Sequence, residues 1–259
     1  MNSEIITSKS NQKIVDAKKL LEKKYRDKTN LFLIETKKVL KEAVLCGLLP
    51  KCFFVEEGRN FDFEEFGISN TDEIKIYVVS KSVFKELSTV VSSDGYIGIF
   101  AKKESKKEYL GGKFLILDNL QNPDNFGAIM RTALACNFKQ VFAINSVDEY
   151  SPKVIRASMG NQFKINIVHI NYDDVEKMFA NAKLYALSME GQNIFEIENF
   201  ENDIGFIVGN EGNGVSQFLK NRANKTLSIP MENNVESLNA SISSSVVMYY
   251  IYAKVTKKQ

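Results

Sequence analysis

Apolar runs that alternate with helical patterns dominate the second half of the chain, and they constrain the fold more than any other feature. Strands buried on both faces of a parallel sheet consist of continuous apolar residues, because helices cover the sheet on either side. Six such runs are separated by segments whose apolar residues recur at helical spacing. The runs are FLILDNL, QVFAIN, INIVHI, KLYALSM, IGFIVGN and TLSIP. The pattern predicts an α/β domain with a mainly parallel sheet.

The first hundred residues predict a second, smaller α/β unit. Residues 12–24 place apolar side chains on one side of a helix and lysines on the other. The strand-like runs that follow are LFLIE, KCFFVEE, IKIYVVS and YIGIFAK. The polar run KKESKKEYLGG ends in two glycines, as linkers often do. We therefore expect domains at residues 1–102 and 113–259, joined by a linker at residues 103–112.

Charge is nearly balanced over the whole chain but uneven along it. The formal net charge is +2, which by itself does not indicate a nucleic-acid partner. Between Lys9 and Lys28, however, eight cations face three acids. This basic segment is compatible with phosphate binding and equally with an ordinary solvated helix face.

Several classes of site are excluded by what the sequence contains. The three cysteines form neither a disulfide framework nor the paired spacing of a zinc site. The only histidine, His169, lies in a strand-like run, so we expect neither a histidine-based triad nor a metal site. No apolar run approaches the ~18 residues of a membrane span, and the N-terminus has no apolar signal core. We expect a cytoplasmic protein without membrane contact.

A first polar loop, QNPDNFGAIMRTA, follows the strand-like run FLILDNL. Pro123 favours a turn, and Gly127 permits close approach of a backbone or ligand. Arg131 is placed to point back toward the loop and present a forked cation to a phosphate or a reacting oxygen. A surface arginine beside a capping Asn125 is the alternative interpretation.

A second polar loop, GFIVGNEGNGVS, contains Gly209, Gly212 and Gly214 with Glu211 among them. Glycines between a strand and a helix favour a backbone cradle for a ligand. Their spacing, G-x-x-G-x-G, reverses the dinucleotide fingerprint, and no phosphate-binding G-x-x-x-x-G-K-[ST] occurs. Nicotinamide and nucleoside-triphosphate chemistry are therefore weakly supported, and a simple tight turn stays open.

A third polar loop lies in LSIPMENNVESLNAS, where Pro230 marks the end of a strand. Ser237, Leu238 and Asn239 then open a segment with helical spacing. Backbone N–H groups at a helix start lack intrahelical partners, so they would surround Ser237 and Asn239. The loop is compatible with a ligand site and with an ordinary capped helix.

Taken together and in this order, the three loops resemble the three motifs of the SpoU-type RNA ribose methyltransferases. The resemblance covers about Lys113 to Lys257, including SPKVIRASMG with Arg156. It implies the SPOUT fold, in which a deep trefoil knot holds S-adenosylmethionine. Residues 6–35 resemble, more loosely, the ribosomal-protein L30-like substrate-binding domain of the same family. The implied fold class is thus α/β, a SPOUT domain plus a smaller N-terminal L30-like domain.

The resemblance assigns roles residue by residue. It implies an active-site set of Asn125, Arg131, Glu211, Ser237 and Asn239. The cofactor, S-adenosyl-L-methionine, would lie against Gly209, Asn210, Gly212, Ile229 and Leu238. RNA would contact Lys13, Lys23, Arg26 and Arg156. The family is also homodimeric, which composition alone does not establish.

The chain departs from the family pattern at three positions. Asn233 stands where glycine is usual, Asn122 where aspartate is common, and Thr36 where the first domain often has glycine. Asparagine tolerates positive φ better than most residues, so Asn233 is the mildest of these changes. None of the three removes a residue of the active-site set.

The predicted activity is methylation of a ribose 2′-hydroxyl in structured RNA, with 23S ribosomal RNA preferred and transfer RNA open. The methyl of a sulfonium is already electrophilic, so the enzyme has mainly to align it with the hydroxyl and remove a proton. A noncatalytic RNA- or ribosome-binding protein with the same fold is one alternative. A nucleotide-dependent oxidoreductase is another, and it is disfavoured by the glycine spacing.

Overall fold

The computed structural model describes residues 5–69, 71–233 and 235–256, so the outer limits of both predicted domains lie outside it. The chain divides into two compact units. The first contains the chain up to residue 104 together with residues 150–163, and the second contains residues 105–149 and 164–259. Residues 150–163, drawn from within the second sequence domain, pack in the first unit through Tyr150, Ile155 and Phe163.

A four-stranded mixed sheet forms the centre of the first unit. Its strands are β1 (Leu31–Glu35), β2 (Pro50–Glu56), β3 (Lys75–Val79) and β4 (Tyr96–Ala101). The spatial order is β1-β4-β2-β3, with antiparallel pairs on both sides of β4 and a parallel pair between β2 and β3. All four strands were predicted from their apolar runs.

Helices cover both faces of this sheet. They are α1 (Gln12–Lys19), α2 (Lys23–Thr29), α3 (Lys37–Leu45), α4 (Lys81–Leu87) and, from the second half of the chain, α6 (Pro152–Ser158). Alternate residues of β1 point to opposite faces. Leu33 joins the core beneath α1 and α4, whereas Phe32 joins the core beneath α3.

The sequence predicts one helix over residues 12–24, and the structure divides this segment into α1 and α2. The reason is the side chain of Arg26, which is only 3% exposed. Its Nη1 donates to the carbonyl oxygens of Leu20 (2.8 Å) and Leu21 (2.9 Å). These two carbonyls lie just beyond α1, where the chain leaves the helix, so Arg26 stabilises the break between the helices.

A six-stranded, fully parallel sheet forms the centre of the second unit. Its strands are β5 (Lys113–Asp118), β6 (Gln140–Ile144), β7 (Asn166–His169), β8 (Lys183–Asn193), β9 (Ile204–Val208) and β10 (Lys225–Ser228). Their order is β10-β8-β9-β5-β6-β7. The prediction of a parallel sheet from six apolar runs is confirmed. The order also makes β5 and β9 neighbours, so the loops that follow these two strands open at the same edge.

The helices of the second unit are α5 (Pro123–Ala135), α7 (Asp174–Met178), α8 (Gln217–Lys220) and α9 (Ala240–Thr256). Helix α5 packs against α9, and the hydroxyls of Thr132 and Ser245 lie 2.9 Å apart across that contact. None of the described helices combines the length and apolar character that crossing a bilayer requires.

Strand β8 contains a loop that lies against β10. Lys225 and Thr226 of β10 pair with Tyr185 and Ala186, whereas the next two residues of β10 pair with Gln192 and Asn193. Residues 187–191 of β8 are therefore skipped in this pairing. A methyl group on Gly191 would lie 2.7 Å from the carbonyl carbon of Leu227, and the Ser228 hydroxyl donates to the Gly191 carbonyl at 2.8 Å. Only glycine permits this backbone approach. The trefoil knot of this region stays a prediction.

Candidate active site

The loop after β5 is organised by the side chain of Asn122. Its Oδ1 accepts hydrogen bonds from the backbone nitrogens of Asp124 (2.8 Å) and Asn125 (3.3 Å), which caps α5, and Pro123 occupies the first turn. These are the favoured residue types for a helix start. Asparagine at position 122 therefore performs the capping that an aspartate would, and the helix begins where the sequence predicts it.

The loop after β9 closes on itself. Asn210 and Gly214 exchange two backbone hydrogen bonds of 3.0 and 2.9 Å. A methyl group on Gly209 would lie 2.1 Å from the Gly214 carbonyl carbon, so glycine is required there. The side chain of Asn210 spans the loop, accepting from Gly212 N at 2.9 Å and donating to the Asn119 carbonyl at 2.9 Å.

Asn125 and Glu211 join the two loops. The Asn125 amide, 5% exposed, donates to Glu211 Oε1 at 3.0 Å, and the same oxygen accepts from Asn122 N at 3.2 Å. Partial burial raises the pKa of Glu211, but hydrogen bonds from Asn125 and from loop amides outweigh that effect and leave the pKa below its usual value. Two residues 86 positions apart thus form one polar centre.

Asp118 contributes to this centre and was missed by sequence reasoning. It ends β5, is 1% exposed, and accepts from Ser216 N at 2.7 Å and from the Tyr172 hydroxyl at 2.7 Å. A buried carboxylate needs such partners. It therefore holds the end of the glycine loop against β5. The signal was available: one acid closes an otherwise apolar strand at the edge where ligands bind in parallel sheets.

The third loop provides the start of α9. Asn239 Oδ1 accepts from Ser241 N at 2.9 Å and from Ile242 N at 3.4 Å, so Asn239 caps the helix as its sequence position indicates. Ser237 is exposed, whereas Ile229 and Leu238 are half-buried. From Ile229 to Leu238 the described residues make one backbone-to-backbone hydrogen bond, from Val235 N to Glu232 O at 3.4 Å. Most backbone groups of this stretch therefore remain available to a ligand.

Asn233, in the same loop, has a φ of +57°. The expectation that asparagine replaces glycine here because it tolerates positive φ is confirmed.

Arg131 lies on α5 with an exposed side chain. Among the described residues it makes no hydrogen bond or ion pair, and neither does the Ser237 side chain. The structure thus joins Asn125 to Glu211 directly, while Arg131 lies on α5 and Asn239 precedes α9, two helices that pack against each other. An unpaired guanidinium at this position is free to bind an anionic group of a substrate.

The four residues predicted to bind RNA lie in the first unit and differ in availability. The Lys13 ammonium lies 4.6 Å from the centre of the Tyr77 ring, Lys23 is exposed, and the exposed Arg156 donates to the Thr89 carbonyl at 3.5 Å. Arg26 is buried and bound to backbone carbonyls, as described above. We therefore leave Arg26 out of the proposed RNA-binding surface.

Comparison with known proteins identifies the class. The SpoU rRNA Methylase family matches residues 112–249, and the MRM3-like substrate binding domain matches residues 11–98. The chain belongs to the SpoU rRNA methylase family. It is an S-adenosylmethionine-dependent RNA 2′-O-ribose methyltransferase.

Individual relatives agree with this assignment. The chain is 30% identical to the 23S rRNA (guanosine(2553)-2′-O)-methyltransferase RlmP of Bacillus subtilis, over 95% of this chain and 98% of the relative. It is 27% identical to an RNA 2′-O ribose methyltransferase of known crystal structure, with a TM-score of 0.82 over 98% of this chain and all of the other. An AdoMet-bound rRNA methyltransferase from Sinorhizobium meliloti, 23% identical, shares the fold with a TM-score of 0.86, over 97% of this chain and 98% of that one.

S-adenosylmethionine can be bound largely by main-chain groups, and two of the loops offer such groups. S-adenosylmethionine carries an adenine, a ribose and an amino-acid group, all of which can be bound by main-chain N–H and C=O groups. The described part of the stretch from Ile229 to Leu238 offers such groups, and the glycine loop after β9 permits close approach at Gly212, where a Cβ would have only the Asn210 Oδ1 at 3.5 Å. Within the described residues, no group of His, Cys, Asp and Glu side chains could hold a metal ion.

Proposed function

We propose that this enzyme methylates a ribose 2′-hydroxyl of 23S ribosomal RNA, and that the reaction takes place where Asn125, Arg131, Glu211, Ser237 and Asn239 converge. The hydrogen bond from Asn125 to Glu211 carries the proposal, since it unites the first two loops in one polar centre. The similarity to RlmP over nearly the whole chain supports a 23S rRNA substrate. A guanosine at the position equivalent to the one methylated by RlmP is the first nucleotide to examine.

The bound cofactor supplies an electrophilic methyl group, and the protein has to position the hydroxyl that attacks it. Arg131 binds the phosphate next to the target ribose and thereby orients the sugar. Its guanidinium is always charged in proteins, so it suits this role better than that of a proton acceptor. The Ser237 hydroxyl and the Asn125 and Asn239 amides hold the 2′-hydroxyl.

Glu211 acts as a positioning residue. Its carboxylate accepts from the Asn125 amide and from Asn122 N at the same time, and these hydrogen bonds favour the ionised form and lower its pKa. That contact fixes the orientation of the Asn125 amide. Gly209, Asn210, Gly212, Ile229 and Leu238 complete the cofactor site, chiefly through backbone groups.

The first unit binds the RNA. Lys13, Lys23 and Arg156 are exposed or half-exposed cations on this unit, and phosphate contacts from such residues supply affinity without reading base identity. The family match to a substrate-binding domain over residues 11–98 supports this role. We place the reaction in the cytoplasm, where bacterial ribosomes are assembled.

The protein acts as a homodimer in this proposal. Helix α9 has apolar residues on all sides, yet Ile242 and Tyr249 are each 54% exposed. A helix that is apolar all round is normally covered on all sides, so a second copy of the chain would cover this face. Light scattering at micromolar concentration should give twice the chain mass of 29.3 kDa. A monomer would contradict the dimer.

Mapping of 2′-O-methyl groups in total RNA tests the proposal. RNA from cells that contain the protein should carry a ribose methylation in 23S rRNA that is lost when the gene is deleted and restored by the wild-type enzyme. Loss of a methyl group from transfer RNA, with ribosomal RNA unchanged, would identify the other substrate class. An unchanged pattern in all RNA would refute the proposal.

A further inference from the structure

A second basic surface lies on α3, away from the basic segment that the sequence singles out. Three lysines of α3 and Arg59, from the turn after β2, line an open cavity of about 620 Å³ with Ser93, Asp94 and Tyr96. We will call these seven residues the α3 cavity. This proposal rests on the proposed function: we propose that the α3 cavity binds the phosphodiester backbone of the RNA substrate and is a phosphate-binding site of the first unit.

Ion pairing in the first unit supports this choice. On the α1 side, Lys9 and Lys18 both bind Glu86, at 2.7 and 2.5 Å, and Lys19 binds Asp16 at 3.0 Å. These pairs engage Lys9, Lys18 and Lys19, whereas Lys23, Lys24 and Lys28 of the basic segment are exposed and form no ion pair with any residue that the structure describes. In the α3 cavity, Lys38 and Lys41 are exposed and make no hydrogen bond or ion pair with any residue that the structure describes. Unpaired cations are the ones that gain most from contact with phosphate.

The positions of the lysines on α3 give a second reason. Lys37, Lys38 and Lys41 occupy the first five residues of the helix, and no acidic residue lies in its first turn. The N-terminal end of a helix carries partial positive charge, so cations there are unfavourable while anions are stabilised. Residues that act against local stability in this way are expected at functional sites. Asp94 Oδ2 already accepts from Lys37 N at 3.0 Å, so one N–H of the helix start is occupied, and a bound phosphate would offset the repulsion among the cations that remain unpaired.

The remaining residues of the cavity are held in place by the fold. The Arg59 side chain crosses Gly95, where a methyl group would lie 2.8 Å from Arg59 Nε, and Arg59 also pairs with Glu56 at 3.5 Å. Lys37 is bound to Glu65 and lies 5.8 Å from the centre of the Tyr96 ring. Arg59 and Lys37 are therefore held by neighbouring side chains, whereas Lys38 and Lys41 are the unpaired cations of the cavity.

Arg156 extends the same surface. It lines a small cavity with Glu35 and Thr36, and Thr36 immediately precedes the first residue of α3. Both α3 and α6 belong to the face of the sheet whose core contains Phe32, whereas α1 and α4 cover the opposite face. The α3 cavity and Arg156 therefore lie on the same face of the sheet, and Lys13 lies on the other face.

The test compares two double variants of the full-length enzyme. Lys38→Gln with Lys41→Gln removes the two unpaired cations of the cavity. Lys81→Gln with Lys85→Gln removes two exposed lysines from α4, on the opposite face, and serves as the matched control. Binding of unmodified 23S rRNA transcript and of poly(U) is measured by filter binding or anisotropy at several salt concentrations.

The cavity variant should bind both RNAs about tenfold more weakly at about 100 mM salt, and its salt slope should fall by about 1.4, as expected for two lost phosphate contacts. Its thermal stability should equal or exceed that of the wild type, because cations have been removed from a helix start. S-adenosylmethionine binding by calorimetry should not change.

Equal losses in the two variants, or no loss in the cavity variant, would overturn the proposal, as would a wild-type enzyme that binds neither RNA at about 50 mM salt. Failure of the proposed function looks different: the wild type would bind the transcript through the α3 cavity but transfer no methyl group to it.

Discussion

Replacing Thr36 with glycine should stabilise the first unit. Thr36 has a φ of +80° and a ψ of 131°, and it is the residue from which α3 starts. Glycine adopts positive φ without penalty, whereas a β-branched residue there is a genuine outlier. The chain therefore carries backbone strain at Thr36.

The size of the effect follows from two opposing contributions. A non-glycine residue in such a region stores about 1–3 kcal/mol of strain, which the Thr36→Gly change releases. Glycine also increases the conformational entropy of the unfolded chain, which costs about 0.4–1 kcal/mol. The net gain should be about 1.3 kcal/mol at the middle of the two ranges and at most about 2.6 kcal/mol, and each kcal/mol raises Tm by about 2–4 °C for a chain of this size.

Urea denaturation followed by circular dichroism measures this change. The midpoint should rise without a change in the slope, since the surface exposed on unfolding is the same. Thr36→Ala is the matched control: alanine keeps the Cβ atom that clashes at positive φ, so it should give little or no gain. A Thr36→Gly protein no more stable than the wild type, or an equal gain in Thr36→Ala, would refute the reasoning.

Three further predictions concern the active site. Gly209→Ala should lower stability by about 2–4 kcal/mol and weaken S-adenosylmethionine binding by calorimetry, because the new methyl group meets backbone at 2.1 Å. Gly212→Ala, whose methyl group has 3.5 Å to its nearest neighbour, should be tolerated, and equal effects of the two changes would contradict the loop geometry. The pKa of Glu211 is lower in the folded protein than in the unfolded chain, where it is about 4.3, so the ionised carboxylate stabilises the fold above that pH. This contribution is lost as pH falls through the pKa of the folded state. Because Glu211 is exposed to solvent, the contribution is limited to about 0.5–1 kcal/mol. The free energy of unfolding, measured by denaturation at pH values from 3 to 7, should show this loss in the wild type but not in Glu211→Gln. If the two proteins lose stability in parallel, Glu211 makes no such contribution. Arg131→Ala should retain cofactor binding and lose about 100-fold or more in turnover. Near-normal turnover of this variant would contradict the active-site role of Arg131.

Periodicity and turn chemistry were sufficient to predict the elements of the fold. The six apolar runs became the six parallel strands of the second unit, and the residues flanking each loop began α5 and α9 where expected. Asn239 was identified as a helix start from its position, and Asn233 as a residue able to adopt positive φ, and both hold. These features are local, so the sequence around each residue is enough to infer them.

Long-range contacts were not predictable in the same way. Nothing near residues 12–24 indicates that Arg26 folds back onto the Leu20 and Leu21 carbonyls and divides the helix. The helical spacing of apolar residues against lysines made residues 12–24 look like one amphipathic helix. Glu86, which pairs with Lys9 and Lys18, is distant from them in sequence. It is brought near these lysines by the packing of α4 against α1.

The polar centre of Asn125 and Glu211 likewise combines loops that local sequence predicts with a long-range contact that it does not. The loops that contain Asn125 and Glu211 were recognised from their residues, but their union depends on β5 and β9 being neighbours, which is set by the order of the whole sheet. Asp118 was missed because its partners, Ser216 and Tyr172, follow it by 98 and 54 residues. Strand order is therefore the information that sequence reasoning lacked.

Methyl transfer in vitro tests the central claim most directly. Purified enzyme is incubated with S-adenosylmethionine labelled in its methyl group and with unmodified 23S rRNA transcript, and the product is digested to nucleosides. The account predicts label in a 2′-O-methylated nucleoside, abolished by Arg131→Ala. Label on a base, or no transfer to an RNA that the enzyme binds, would contradict it.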